Sequence, residues 1–456
     1  MYKKILIASL ALIAGLASCK KDDPTPSPNP PTTLTIDGVA STLEFYQLDT
    51  AHLSVAGVAK DAAAKAVWAV NGAKAAEGAT FDFTTAHPGK YEVTLTVDGK
   101  SAKHTYTVAP RFSEGAFLLN EGNFGNETGS LTYIHPSKKL VIDQAYYRVN
   151  GTKLGNVCQD LAFGNDQIYI LSQLGPKNGG EGLLTIANSH SLEKVKVYND
   201  EALAQSTPTH IAVLRDHIYI RTERDGILRG SSEGGFTPIT GTKKALKQRM
   251  AQIGERIFAL TKDNKVLMIQ GTQVVRELDL SPAKPSGIAV SHDGKLWVST
   301  TSPNAILKVD PTPDNFVALD THVLDKSISA TGPESWQRTT SSAFFAHGDK
   351  LYFTGQSSVI YCHDFATSKT SQVIDVKTID GVGTSANMYY NSLGVDPATG
   401  ELYYAAFEGY STYNKKNVTM VLKADGTKLL LKEKVNSFPA GFYFIPNAAS
   451  RTGANR

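Results

Sequence analysis

Three stretches of this chain bring aromatic rings, carboxamides and single charges together within a few residues: Asn120-Glu-Gly-Asn-Phe-Gly-Asn126, Gln173-Leu-Gly-Pro-Lys-Asn-Gly-Gly180 and Phe407-Glu-Gly-Tyr-Ser-Thr-Tyr413. Cys158-Gln-Asp160, Ser335-Trp-Gln-Arg-Thr339 and Asn387-Met-Tyr-Tyr-Asn391 share that composition. Rings can stack on the apolar faces of a large, flat or sugar-like ligand while a few polar groups fix its orientation. The candidate contacts are Asn120, Glu121, Asn123, Phe124, Gln159, Trp336, Arg338, Tyr389, Tyr390, Phe407, Glu408, Tyr410 and Tyr413. The competing role for the same rings is to staple long loops by packing. The eleven histidines are scattered, with no His-x-His or His-Glu-x-x-His spacing for a metal. Calcium-loop, Walker A and Gly-x-Ser-x-Gly patterns are missing too. No catalytic residue, metal ligand or cofactor is therefore assigned.

A repeated phrase positions these loops. An apolar triplet, a tight polar turn and an aromatic flanked by aliphatics recur, with the aromatics at Phe117, Tyr169, Tyr219, Phe258, Trp297, Tyr352 and Tyr403. Clear copies are Leu161-Ala-Phe-Gly-Asn-Asp-Gln-Ile-Tyr-Ile and Ile288-Ala-Val-Ser-His-Asp-Gly-Lys-Leu-Trp-Val. A hairpin period of roughly 40–55 residues is the signature of a β-propeller, one blade per repeat. Before most copies stands an innermost strand. The first copy has none, and Pro439-Ala-Gly-Phe-Tyr-Phe444, which matches Pro285-Ser-Gly-Ile-Ala-Val290, has no aromatic strand after it. The spacing thus predicts a seven-bladed β-propeller over residues 112–447, closed by its own C-terminal strand. The turns after the innermost strands are short and lie on one face. The polar and aromatic loops lie on the other, and residues 448–456 read as a disordered tail.

Residues 34–110 carry a separate pattern. Trp68 precedes Gly89-Lys-Tyr-Glu-Val-Thr-Leu-Thr-Val97, whose alternation puts Tyr91, Val93, Leu95 and Val97 on one face of a strand. This segment resembles a PKD/Ig-like β-sandwich, so the whole chain reads as all-β, with the sandwich as a rigid spacer. Lys3-Lys4 followed by an apolar run too short to span a bilayer marks residues 1–18 as a signal peptide. Leu16-Ala-Ser-Cys19 resembles a bacterial lipobox, which implies acylation of Cys19. Lys20-Lys-Asp-Asp23 resembles the surface-export signal of Bacteroidota lipoproteins. Residues 19–33 then form a Pro-rich tether.

Removing residues 1–18 takes away two lysines and no acid, lowering the formal charge from +3 to +1, which gives no bias toward nucleic acid. The run Lys243-Lys-Ala-Leu-Lys-Gln-Arg249 reads as a solvated loop or helical turn. Cys158 and Cys362 occupy different repeat positions and read as free thiols.

Gly115-Ala-Phe-Leu-Leu-Asn-Glu-Gly-Asn-Phe-Gly-Asn-Glu-Thr-Gly-Ser-Leu-Thr-Tyr133 resembles the opening motif of YncE-like surface propellers of Bacteroidota. Similar lipoproteins include the BtuG type, which captures cobalamin for a TonB-dependent outer-membrane transporter, and others that bind iron–siderophore complexes. The resemblance implies a non-catalytic protein anchored by lipid alone to the outer membrane and exposed at the cell surface. It would bind a bulky small molecule, a corrinoid first and a metallophore second. The alternatives are a glycan-binding adhesion protein and a propeller lactonase or lyase with acids converging on an axial metal. A Cys19→Ser chain is expected to lose palmitate labelling and to leave the membrane fraction, checked by labelling and fractionation.

Overall fold

The structure, a computed structural model, describes residues 33–39, 44–328, 343–355, 357–387 and 393–446. Cys19, the residues before it and the tail from 448 lie outside the described residues. The chain divides into two compact units. One comprises Met1–Ala40, His52–Asp82 and Glu92–Thr105, the other Ser41–Ala51, Phe83–Tyr91 and Tyr106–Arg456.

In the smaller unit Val93, Leu95 and Val97 are buried with Trp68, as their alternation predicts. The Trp68 indole donates to the Gly78 carbonyl at 2.9 Å, so the ring is buried without an unmet donor.

The larger unit holds seven four-stranded antiparallel sheets, the blades of a β-propeller fold. Six blades are each built from consecutive strands. Their innermost strands, for blades two to seven, are Asn156–Gly164, Pro208–Leu214, Ala251–Ile253, Pro285–Val290, Phe344–His347 and Leu393–Val395. The first blade takes Pro439–Phe444 as its innermost strand, paired antiparallel with Ala116–Asn120 so that Phe442 faces Leu118 and Tyr443 faces Phe117. Successive innermost strands pack against one another, and Pro439–Phe444 touches both Leu393–Val395 and Asn156–Gly164. The ring is closed. Closure by the chain's own end pairs an edge that would otherwise template association with other chains.

All seven repeated aromatics lie buried on the second strands. Their cross-strand partners explain how large rings fit near a crowded axis. Tyr169, Tyr219, Phe258 and Trp297 stand opposite Ala162, Ala212, Ala251 and Ala289, and Tyr403 stands opposite Gly394. Only Phe117 and Tyr352 face another aromatic, Tyr443 and Phe345. Each ring fills the seam between blades. Trp297, for example, shares a cluster with Phe344, Leu351 and Phe353 of the next blade. Burying such a side chain stabilises the fold by about 1.5–3 kcal/mol.

The turns on one face are tight for a local reason. Asn165 and Asp166, with φ of 52° and 56°, form a two-residue turn between Gly164 and Gln167. Both central residues are left-handed, as the twist of a right-handed hairpin requires, and Asn and Asp tolerate that conformation best after glycine. On the other face the innermost strands start with register shifts, at Pro208/His210, Pro285/Gly287 and Pro439/Gly441. Proline suits that strand-initial place because it has no N–H to offer the ladder.

Gly394 tests the packing of the closing seam. A Cβ added there would lie 2.5 Å from the Phe442 Cβ, with no soft side-chain end to give way. Gly394→Ala is expected to cost about 1–3 kcal/mol in urea unfolding. Gly409→Ala, whose nearest neighbour is 3.6 Å away, should stay within about 0.5 kcal/mol of the parent.

Candidate functional site

The loops opposite the tight turns surround a cavity of about 380 Å³ where the seventh, first and second blades meet. Its inner wall is the segment that leads into the closing strand, Lys434 to Ser437. Two buried carboxamides clamp that segment. Asn120 Oδ1 accepts from the Ser437 N–H at 3.0 Å, while Asn120 Nδ2 reaches Ser130 and Thr132. Asn417 Oδ1 accepts from the Val435 N–H at 3.1 Å and the Asn436 N–H at 3.3 Å, and its Nδ2 donates to the Tyr413 carbonyl. Asn436 Nδ2 donates to Val418 O and Thr419 Oγ1. The amides of Asn120 and Asn417 are spent on structure, while Asn436 Oδ1 is buried with no hydrogen-bond partner among the described residues.

The outer wall differs. Asn126, Gln144, Asn178, Asn414, Lys153 and Lys434 are exposed, and among the described residues their side chains make no hydrogen bond or ion pair. Tyr147, 45% exposed, adds one open ring. The two acids are already engaged. Glu127 Oε2 accepts from Ser437 Oγ, and Asp143 Oδ1 accepts from Thr132 Oγ1 and the Gln144 N–H. The free chemistry is thus four carboxamides and two ammonium groups. It fits carbonyls, hydroxyls and an anionic group on a polar ligand.

The residues predicted from sequence divide into several environments. Asn120 lines the cavity as a clamp, and Glu121 beside it is buried. Phe407, Tyr410 and Tyr413 converge on Phe438: Phe407 meets it edge-on, Tyr410 stacks at 5.7 Å and Tyr413 packs at 4.5 Å. Asn123 Nδ2 donates to the Tyr413 hydroxyl at 3.5 Å, and Glu408 pairs with Lys416 at 3.0 Å. Burial, with Glu127 nearby, raises the Tyr413 hydroxyl above its ordinary range. Phe407 is fully buried, Tyr410 is 39% exposed and Phe124 68% exposed. This cluster staples the 408–416 loop to the residue that precedes the closing strand. Gln159 is buried in the innermost strand of the second blade. Trp336, Arg338, Tyr389 and Tyr390 lie outside the described residues.

Sequence reasoning singled out the stretches that hold Asn126 and Asn178 without naming either as a contact, and it missed Gln144, Asn414, Lys153 and Lys434, which fall on separate loops with no shared motif. Phe438 had one signal, its place just before a proline-led innermost strand. Arg249 departs from the solvated loop expected of its basic run. Lys243 and Lys244 are exposed, but Gln248 is buried and Arg249 turns inward to the ring axis. There its guanidinium sits 4.1 Å over the Tyr443 ring and 3.5 Å from Asp160 Oδ1. Asp160 is buried and receives the Tyr443 hydroxyl at 2.6 Å and the Ile211 N–H at 2.9 Å. One carboxylate therefore joins the second blade to the first, the third and the approach to the fourth. Cys158 and Cys362 are free, and burial raises both thiols above their ordinary range. Among the described residues, no cluster of three His, Cys, Asp or Glu side chains could hold a metal ion.

Residues 114–446 match the sequence profile of a family described as a domain of unknown function, DUF5074. No curated protein matches the chain. Among solved structures, a quinoprotein alcohol dehydrogenase-like protein from Bacteroides thetaiotaomicron is 15% identical with a TM-score of 0.56, covering 90% of this chain and 98% of its own. A protein from Lactobacillus plantarum is 13% identical with a TM-score of 0.48, covering 73% and 99%. A streptogramin B lyase is 14% identical with a TM-score of 0.44, covering 63% and 90%. At these identities the first likeness concerns the fold alone.

Asp160 sets a pH dependence. Burial pushes its carboxyl up to about 6, against the opposing pull of Arg249, the Tyr443 hydroxyl and the Ile211 N–H. The unfolded carboxyl loses its proton near 3.8, so between the two values the native state holds a proton the unfolded state lacks. This contribution to stability is full below about pH 4, falls as pH rises through 6 and is flat above, with a slope of up to about 1.4 kcal/mol per unit. Urea midpoints taken from pH 4 to 7 should show that decline in the parent chain and lose it in Asp160→Asn.

Proposed function

From the premise that the chain belongs to the DUF5074 family, we propose that it is a non-catalytic binding protein that captures a bulky polar small molecule at the long-loop face of its propeller. The observation that carries this reading is the set of four carboxamides and two ammonium groups around one cavity that are unengaged among the described residues. Its volume of about 380 Å³ is near the low end of small-molecule pockets. A bulky ligand would be gripped by one edge and left largely open to a second protein. A corrinoid suits these groups, because its rim carries amides and its nucleotide loop a phosphodiester.

In this reading Cys19 anchors the protein by lipid at the outer-membrane surface. Residues 34–110 act as an Ig/PKD-like spacer, and the ligand passes to a TonB-dependent transporter. A glycan ligand is the second reading. It is supported by the exposed aromatics Phe124, Tyr147 and Tyr410, all on this face, whereas the exposed aliphatics Val195, Val317, Leu319 and Val323 lie on or beside outermost strands.

Calorimetry with cyanocobalamin, cobinamide and a ferric siderophore, beside a glycan array, separates the readings. Cyanocobalamin is expected to bind at micromolar concentration or tighter. Asn126→Ala and Asn414→Ala should each weaken it roughly fivefold, the worth of one hydrogen bond. The Lys153→Ala, Lys434→Ala pair should weaken cyanocobalamin more than cobinamide, which lacks the phosphodiester. Silence of the apo protein toward every one of these ligands would end the capture reading.

A further inference from the structure

At the tight-turn end of the ring axis, the third apolar residue of the repeated triplet becomes the wall of a second cavity. Phe163, Val290, Phe345, Val395 and Phe444, from the second, fifth, sixth, seventh and first blades, surround about 290 Å³. Phe163, Val290, Phe345 and Phe444 remain half-buried, although they stand on innermost strands of a closed ring. Aromatic surface from three blades is thus left uncovered in one concave place. Apolar surface gathered in this way marks a binding site more often than scattered exposed residues do.

Arg249 is the single charged side chain among the described residues that line this cavity. Its guanidinium offers five N–H donors in a planar fork. Among the described residues the guanidinium reaches the Phe442 and Ala440 carbonyls, both at 3.4 Å, the long limit of a hydrogen bond, and the Tyr443 side chain, whose ring lies 4.1 Å away. Asp160 lies 3.5 Å from Nε and takes its short hydrogen bonds from Tyr443 and Ile211 instead. An under-used fork at the inner end of an aromatic vault matches a planar oxyanion carried on an apolar body.

We propose that the axial cavity is a second binding site, for a compact organic anion whose flat apolar body lies among Phe163, Phe345 and Phe444 and whose carboxylate or sulfonate meets Arg249. The site is independent of the long-loop cavity and shares no lining residue with it. Binding here makes and breaks no covalent bond.

The test uses 8-anilinonaphthalene-1-sulfonate, an aromatic sulfonate that fluoresces when desolvated, and N-phenyl-1-naphthylamine, its uncharged counterpart. The sulfonate is expected to bind the full chain at one equivalent, and the uncharged probe at least tenfold more weakly. Val290→Phe fills part of the vault while keeping the Arg249 side chain and should lower sulfonate affinity at least tenfold, as should Arg249→Gln. Circular dichroism checks that each variant is folded; if Arg249→Gln is not, Val290→Phe and the probe pair decide. Equal binding by Val290→Phe, equal affinity for the two probes or the absence of a bound equivalent would overturn the proposal. Val290→Phe should leave cyanocobalamin or glycan binding unchanged, so a failure at one site is told apart from a failure at the other.

Discussion

A carboxylate buried at the axis of a ring has to be satisfied by whatever the neighbouring blades bring to it. Asp160 is in that position, and its two oxygens are met by Tyr443 of the first blade and Ile211 of the third, with Arg249 beside it from the approach to the fourth. An ion left unpaired there would cost several kcal/mol. Four blades must therefore sit in one register before the charge is tolerable. The aromatics on the second strands are buried among many aliphatic neighbours, but burial is non-directional. Asp160 makes the arrangement specific. Its place just after the register shift in Asn156–Gly164 re-aims the side chain from its own sheet toward the next.

The long-loop cavity depends on the same closure by another route. Its inner wall is the connection from the seventh blade into Pro439–Phe444, and Asn120 and Asn417 hold that connection by its backbone. The wall is fixed from behind by buried amides, while the amides in front stay free. A ligand would meet a preorganised surface and would not have to order a loop, the cost that most erodes affinity in flexible sites. The aromatic staple on Phe438 serves the same end, its rings acting as supports beside a cavity whose own lining holds Tyr146 and the open ring of Tyr147. The axial vault is built from the opposite ends of the innermost strands.

The scaffold was far more legible in the sequence than the sites. Hairpin periodicity is written by hydrophobic burial, which acts locally, and so Phe117 to Tyr403 announced their strands. The unpaired first copy announced its partner at Phe442–Phe444. Asn126 and Asn178 lie in stretches whose composition stood out, but Gln144 and Asn414 have no local signature, because only the closing of the ring brings those loops together. Asn120 and Tyr413 were found by composition, yet composition could not show that one is a clamp and the other a staple. Arg249 was hidden by its neighbours: three lysines before it read as a solvated face, and nothing within the run shows that the chain turns inward after Leu246. The repeated small residues opposite the large rings, Ala162, Ala212, Ala251 and Ala289, were visible throughout as part of the phrase. Their meaning emerges only from the register.

The first blade also imposes an order in time. Ala116–Asn120, Ser130–His135 and Leu140–Ile142 emerge early from any N-to-C process, whether synthesis or passage across a membrane, but the strand that completes their sheet comes last. Until residue 444 has emerged the ring cannot shut, Asp160 lacks the Tyr443 hydroxyl and the long-loop cavity lacks its inner wall. Contacts that span more than three hundred residues of chain form slowly, because the loop must close before any contact rewards it. Six blades can pair their own consecutive strands first, and the ring, its axis and its binding face are complete only when Pro439–Phe444 docks.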